Sequence, residues 1–257
     1  MVPVRFEREG RVAIITLDRP EKLNAMDMEM YEEISRRLRE IDEDDSIWVG
    51  IVTGAGERAF TAGADLVGLH GVGEQAAAGW SATRPARFDL GLEVGKPLIA
   101  AVNGYCLAGG LELALVCDIR IASERAQFGT PEVRWNLLHG FGAQLLPGIV
   151  GFSNAMYLLL TGRFIDAQEA HRIGLVQEVV AHDRVVARAR ELAEEICSNA
   201  PMAVRMTKEL ALRSRDTSIA DGVRLYQALN RIIESSEDLE EGTRAFAEKH
   251  KPNFKNR

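Results

Sequence analysis

Along the first half of the chain, short β-branched and aliphatic runs alternate with stretches of helical period, and glycines punctuate the changes. "RVAIITLD" (Arg11 to Asp18) predicts a strand, and "IWVGIVTG" (Ile47 to Gly54) predicts a buried one. Between them, "NAMDMEMYEEISRRLREID" places Met30, Ile34, Leu38 and Ile41 on one face of an amphipathic helix, with Asn24 as its N-cap and Asp27 three residues on. "PLIAAVNG", "AGGLELALVC" and "DIRIAS" then predict strand, helix and strand in a stretch with almost no polar surface, the middle of the core. From about Asp166 the strand signals fade, and helical segments follow at "DAQEAHRIG", "RVVARARELAEEICSN", "PMAVRMTKELALRS" and "IADGVRLYQALNRIIES". The alternation predicts an α/β core over 1–197, and the later pattern a helical C-terminal subdomain over 198–257. The stretch from His70 to Gly95 has no clean period and reads as a loop or an unplaced helix.

Composition narrows the function classes. With 46% hydrophobic and 27% charged residues over 257 positions, the chain suits a soluble domain with a substantial core, and no apolar run is long enough to cross a bilayer. The opening "MVPVRFEREG" carries charges and runs directly into a strand-like segment, so the expectation is a cytoplasmic protein with neither signal nor transit peptide. A formal charge of -7 and a pI near 5.4 give no general attraction to nucleic acid. Cys106, Cys117 and Cys197 are odd in number, far apart and form no CxxC pair, which points to free thiols rather than disulfides or a zinc site.

Four features remain that could carry chemistry. "RAFTAGADL" (Arg58 to Leu66) is a strand followed by a small-residue turn in which Gly63 lets backbone amides approach a ligand; alone it is equally a tight connecting turn. "LAGGL" opens the next helix, where the Gly109 amide stands at a positive helix end. If the two turns converged on one oxygen they would form an oxyanion hole, in which each donor is worth about 3 to 4 kcal/mol. Glu112 sits among Leu111, Leu113, Ala114, Leu115 and Val116; an acid in a helix's first turn complements the dipole by about 0.3 to 1 kcal/mol, but a buried carboxylate is expensive unless it is paired. Glu132 directly follows Pro131, one predicted strand further on, and the two glutamates together would suit a base and an acid in one site.

Taken in order, "LDRPEKLNAM", "ERAFTAGADL", "KPLIAAVNGYCLAGGLELALVCDIRIASERAQFGTPE", "LLLTGRFIDAQEAHRIGLVQEVV", "APMAVRMTKEL" and "EGTRAFAEKHKPNFK" resemble the crotonase superfamily, and within it the enoyl-CoA hydratases. The resemblance implies a ββα superhelical spiral core, a helical C-terminal part used for trimer formation, and often a dimer of trimers. It implies that Ala64 and Gly109 supply the oxyanion-hole amides for an acyl-CoA thioester, and that Glu112 and Glu132 are the two hydratase glutamates. Relatives that only isomerise double bonds usually keep just the second of these. The implied reaction adds water reversibly and syn across a trans-2-enoyl-CoA with no metal or redox cofactor, coenzyme A being part of the substrate. Lys22, Ala25, Ala62, Asp65 and Leu66 would receive the CoA moiety, its adenine along the "TAGADL" backbone, with Lys22, or Lys249 and Lys255 from a neighbouring subunit, at its phosphates.

Beyond Glu132 the chain departs from the family pattern. Asn136 stands at the usual glycine and His139 at the usual proline of "VRWNLLHGFGAQLLPGIVG", which borders the acyl pocket in the family. His139 could serve as a third acid/base or line the pocket, but a lone histidine beside glycines is more often a packing or helix-start residue, and it stays outside the catalytic set. Rival readings are another crotonase-type reaction (isomerisation, thioester hydrolysis or decarboxylation) and a non-catalytic acyl-CoA or RNA-binding scaffold.

Overall fold

The structure is a computed structural model and describes residues 2–65 and 87–257. Leu66, and most of the stretch without a clean period, lie outside the described residues.

The strand-like runs assemble as the pattern predicts. β1 (Val4–Glu9) pairs antiparallel with β2 (Val12–Leu17), which lies parallel to β3 (Val49–Gly54). β5 (Leu98–Val102), β7 (Ile119–Ser123) and β10 (Glu178–Val180) extend the sheet in parallel, in the order β1-β2-β3-β5-β7-β10. Central strands of such a sheet are covered on both faces, which is why they read as continuous apolar runs. One face of β2 and β5, with Ala13, Ile15, Leu17, Leu98, Ala100 and Val102, packs with Met30, Ile34, Leu38 and Ile41 of α1 (Met28–Glu43). The opposite face, with Val12, Ile14, Ile99 and Ala101, receives Val185, Ala189 and Ala193 of α6 (Val185–Cys197).

A second, smaller sheet comes from strands of three residues, too short to show any alternation. β4 (Ala59–Thr61), β6 (Tyr105–Leu107) and β8 (Gln127–Gly129) run parallel, and β9 (Phe164–Asp166) closes it antiparallel. The chain thus passes from the large sheet to the small one at β3 to β4, β5 to β6 and β7 to β8, with α2 (Gly109–Val116) after the second passage. This is the ββα spiral that the resemblance implies. α3 (Gly142–Val150) and α4 (Phe152–Thr161) were not expected from the pattern; α5 (Ala167–Arg172), α7 (Pro201–Arg213) and α8 (Ile219–Glu234) were, and α9 (Glu237–Glu248) ends the series. Among the described residues no helix is long and apolar enough to cross a membrane.

Three expectations are corrected. Asn24 is not the N-cap of α1: that position belongs to Asp27, whose side chain accepts from Met30 N at 3.0 Å. The buried Asn24 side chain is committed elsewhere, accepting from Arg19 N and donating to the carbonyls of Ala55 and Ala59, and its backbone takes a left-handed φ of 54°. Strands also continue past Asp166, since β10 joins the large sheet beside β7. Finally, two strands rather than one, β7 and β8, separate the two glutamates.

One buried charge fixes the helix that carries Glu112. Arg120 on β7 donates to Leu175 O and Cys117 O, both at 2.6 Å, and to Ala114 O at 3.3 Å. It thereby satisfies carbonyls at the C-terminal end of α2 that the helix cannot pair itself. Replacing Arg120 with Leu leaves these buried acceptors bare and is expected to cost about 3 kcal/mol in urea unfolding; a loss below about 1 kcal/mol contradicts the assignment.

Candidate active site

The two small-residue turns meet. After β4, Gly63 adopts a φ of 93°, and a Cβ placed on it would lie 2.7 Å from Ala108 Cβ and 3.1 Å from Gly109 N. Only glycine lets the first turn rest on the second. Met26 N donates to Gly63 O and Asp65 N to Met26 O, so the bridge uses groups on either side of Ala64. The Ala64 amide itself has no acceptor among the described residues. In the second turn Ala108, a non-glycine residue, holds φ 53° and ψ -128°, strain on the order of 1 to 3 kcal/mol. It redirects the chain from β6 into α2. Leu111 N and Glu112 N both donate to Ala108 O, whereas Gly109 N has no acceptor among the described residues. Two open amides therefore stand on two touching turns.

Glu112 lies three residues beyond Gly109, on the same face of α2. It is only 8% exposed, and its Oε1 accepts from Gly142 N at 3.0 Å. Burial pushes its pKa from 4.5 to about 7; the Gly142 amide and His139 oppose the rise, while Asp89 and Glu132 add to it. Glu132 lies in a 3-10 turn, Pro131–Trp135, where Pro131 sets the first-turn geometry. It is 9% exposed; Oε1 meets His139 Nδ1 at 2.6 Å, and Oε2 is buried with no partner among the described residues. One oxygen of each carboxyl is thus held by the segment from His139 to Gly142.

Two groups at the site lie outside the catalytic set that the sequence suggests. His139, set aside as a packing residue, is buried against Glu132. Its signal was the departure from the family's proline in "LLHGFG". Tyr31 stacks on Phe88 at 5.1 Å, with the Arg87 guanidinium over its ring, and burial followed by the charges of Glu112 and Asp89 raises its hydroxyl pKa. Its oxygen would lie 2.2 Å from a Cβ on Gly109, so the bare glycine also admits this hydroxyl. Tyr31 shares the buried face of Ile34 and Leu38 and was legible as a face residue only.

Of the residues expected to receive CoA, four come together. Lys22 Nζ lies 3.5 Å and Arg19 Nη1 3.1 Å from Asp65 Oδ2, Arg19 also reaches Ala25 O, and Ala62 N donates to Leu23 O. Arg19 is the member that the sequence did not suggest. Lys249 is exposed as the left-handed C-cap of α9 and makes none of these contacts.

Buried carboxyls beside open backbone amides are the equipment of an enzyme that polarises a carbonyl and moves protons at neighbouring atoms. The chain belongs to the enoyl-CoA hydratase/isomerase family, whose model matches residues 7–257. It is 41% identical to a probable enoyl-CoA hydratase of Rhizobium meliloti, over 98% of this chain and 97% of that protein. It is 39% identical to the (E)-benzylidenesuccinyl-CoA hydratase of Thauera aromatica, over 99% of each. The crystal structure of an enoyl-CoA hydratase from Bacillus anthracis superposes with a TM-score of 0.92 at 36% identity, covering 99% of this chain and 100% of that one.

The raised pKa of Glu112 has a stability consequence with a definite sign. The folded state favours the protonated acid, so this contribution is whole below about pH 4.5 and is lost as pH rises to about 7, amounting to about 3 kcal/mol. Glu112→Gln stays neutral and should be more stable than the unmodified protein at pH 8, the gap closing toward pH 4.5. Urea titrations at the two pH values check this, and a gap independent of pH rules it out.

Proposed function

We propose that this protein is an enoyl-CoA hydratase, adding water reversibly and syn across the 2,3 double bond of a trans-2-enoyl-CoA. The observation that carries the reading is the joint placement of Glu112 and Glu132, both buried, next to touching turns whose Ala64 and Gly109 amides are open. The amides receive the thioester oxygen and stabilise the charge that develops there. Both glutamates hold the water. As its oxygen bonds to C3, ionised Glu112 takes one of its protons, the π pair forms the new C2–H bond, and Glu132 supplies that proton from Oε2. Charge and atoms balance, and proton exchange between the two carboxyls and solvent resets the site. Neither a metal nor a redox cofactor enters this scheme.

The CoA moiety belongs along Ala62, Asp65 and Leu66, with Ala25 and Lys22 beside it. Lys249 and Lys255 would reach its phosphates from a second subunit. The same reading makes the chain a cytoplasmic homotrimer, or a dimer of trimers, built on its C-terminal helices. Ile219, Val223, Tyr226 and Phe246 on α8 and α9 are large apolar side chains left exposed in the single chain.

Purified protein with crotonyl-CoA should lose the enoyl-thioester absorbance. Glu112→Gln and Glu132→Gln should each lower kcat by at least about 100-fold; if either leaves the rate untouched, the two-glutamate mechanism is wrong. Because only ionised Glu112 accepts the proton from water, kcat/KM should fall on the acid side with a midpoint near 7. That limb should vanish in Glu112→Gln.

A further inference from the structure

The segment His139-Gly140-Phe141-Gly142 donates once to each carboxyl. Gly142 N holds Glu112 Oε1, and the imidazole of His139 holds Glu132 Oε1. A side chain at either glycine would interfere: a Cβ on Gly140 would lie 2.7 Å from Glu112 Oε1, and one on Gly142 2.5 Å from His139 Nε2 and 2.8 Å from Glu112 Cγ. The ring therefore lies against the bare backbone of Gly142, with Nδ1 on Glu132.

We propose that His139 is a positioning residue for Glu132: it holds Oε1 and so leaves Oε2 as the one oxygen that carries and delivers the proton. The inference rests on the hydratase reading. Its chemistry follows from which atoms have partners. Nε2 of His139 is buried without a partner among the described residues. An N–H in that place would be an unsatisfied buried donor, so the favoured tautomer carries its proton on Nδ1, facing Glu132. Oε1 can accept that N–H bond whether Glu132 is ionised or protonated. In the protonated acid, Oε1 is the carbonyl oxygen and Oε2 carries the hydrogen. After delivery to C2 the O–H pair stays on Oε2, and the hydrogen bond at Oε1 is unchanged.

Without this restraint, rotation about the broad terminal torsion of glutamate would present either oxygen, only one of them in line for transfer. Holding the donor fixed keeps the acid near its reactive geometry, where small misplacements are costly in rate. Glu112 has its own fixed donor in Gly142 N, so the two acids are indexed by the same four residues.

The test uses Glu132→Gln, His139→Phe, the double variant and His139→Asn, with kcat and KM for crotonyl-CoA hydration and a thermal melt for each. His139→Phe keeps the bulk and removes the donor; kcat should fall about 10- to 100-fold with KM within about twofold. His139→Asn places an amide N–H near the position of Nδ1 and should recover most of the loss. In the Glu132→Gln background, His139→Phe should cost less than about twofold more, because a residue acting through Glu132 has nothing left to position. The proposal is overturned if His139→Phe keeps kcat within twofold, raises only KM, or costs the same factor in both backgrounds. If Glu132→Gln alone is as fast as the unmodified protein, the hydratase reading fails and this inference falls with it. Should His139→Phe not fold, His139→Gln, which carries its donor one bond too far along the side chain, replaces it under the same criteria.

Discussion

The contact on which the site depends is that of Gly63 with Ala108 and Gly109. The bare Cα of Gly63 faces Ala108 Cβ, Leu107 O and the Gly109 amide, with no room for a side chain of its own, and the backbone holds a positive φ on both sides, at Gly63 and at Ala108. The two sheets serve it. Parallel pairing of β4 with β6 brings both strand ends to one level, and the irregular register between Ala59 and Thr61 adjusts the approach. The large sheet and its two apolar layers supply rigidity, so that the strained Ala108 is held by its surroundings rather than relaxing.

Against that scaffold the two acids are treated differently. Glu112 receives a neutral backbone donor and remains costly to ionise, whereas Glu132 receives a side-chain donor. Burial makes the charged form of Glu112 costly, and the nearby Glu132 adds to that cost, since buried negative charges repel. The stability given up in the ionised state is the counterpart of reactivity, as at many sites where strained or desolvated groups are retained.

Much of this was legible in the sequence, for reasons that differ by element. β2, β3, β5 and α1 declare themselves because burial on one or both faces writes a period into the chain. The three-residue strands β6, β8 and β9 do not, since three residues cannot show alternation. Asn24 belongs to a residue type that caps helices, but its commitment is to carbonyls more than thirty residues away, which local pattern cannot show. Glu112 was marked by an acid among apolar neighbours, and the glycines by their turns. That the turns touch, that Tyr31 reaches Gly109 and that His139 meets Glu132 are facts of convergence. The only sign of the last was one unexpected residue in "LLHGFG".

Arg120 also shapes the field in which the site works. α2 has eight residues and is about 12 Å long, so the partial negative charge at its far end would offset much of the positive potential at Gly109. The guanidinium sits on the carbonyls of Ala114 and Cys117, where that negative end lies. With its tail neutralised, a two-turn helix acts as a source of one sign, and the open Gly109 amide stands in a positive potential that the far end of so short a helix would otherwise cancel.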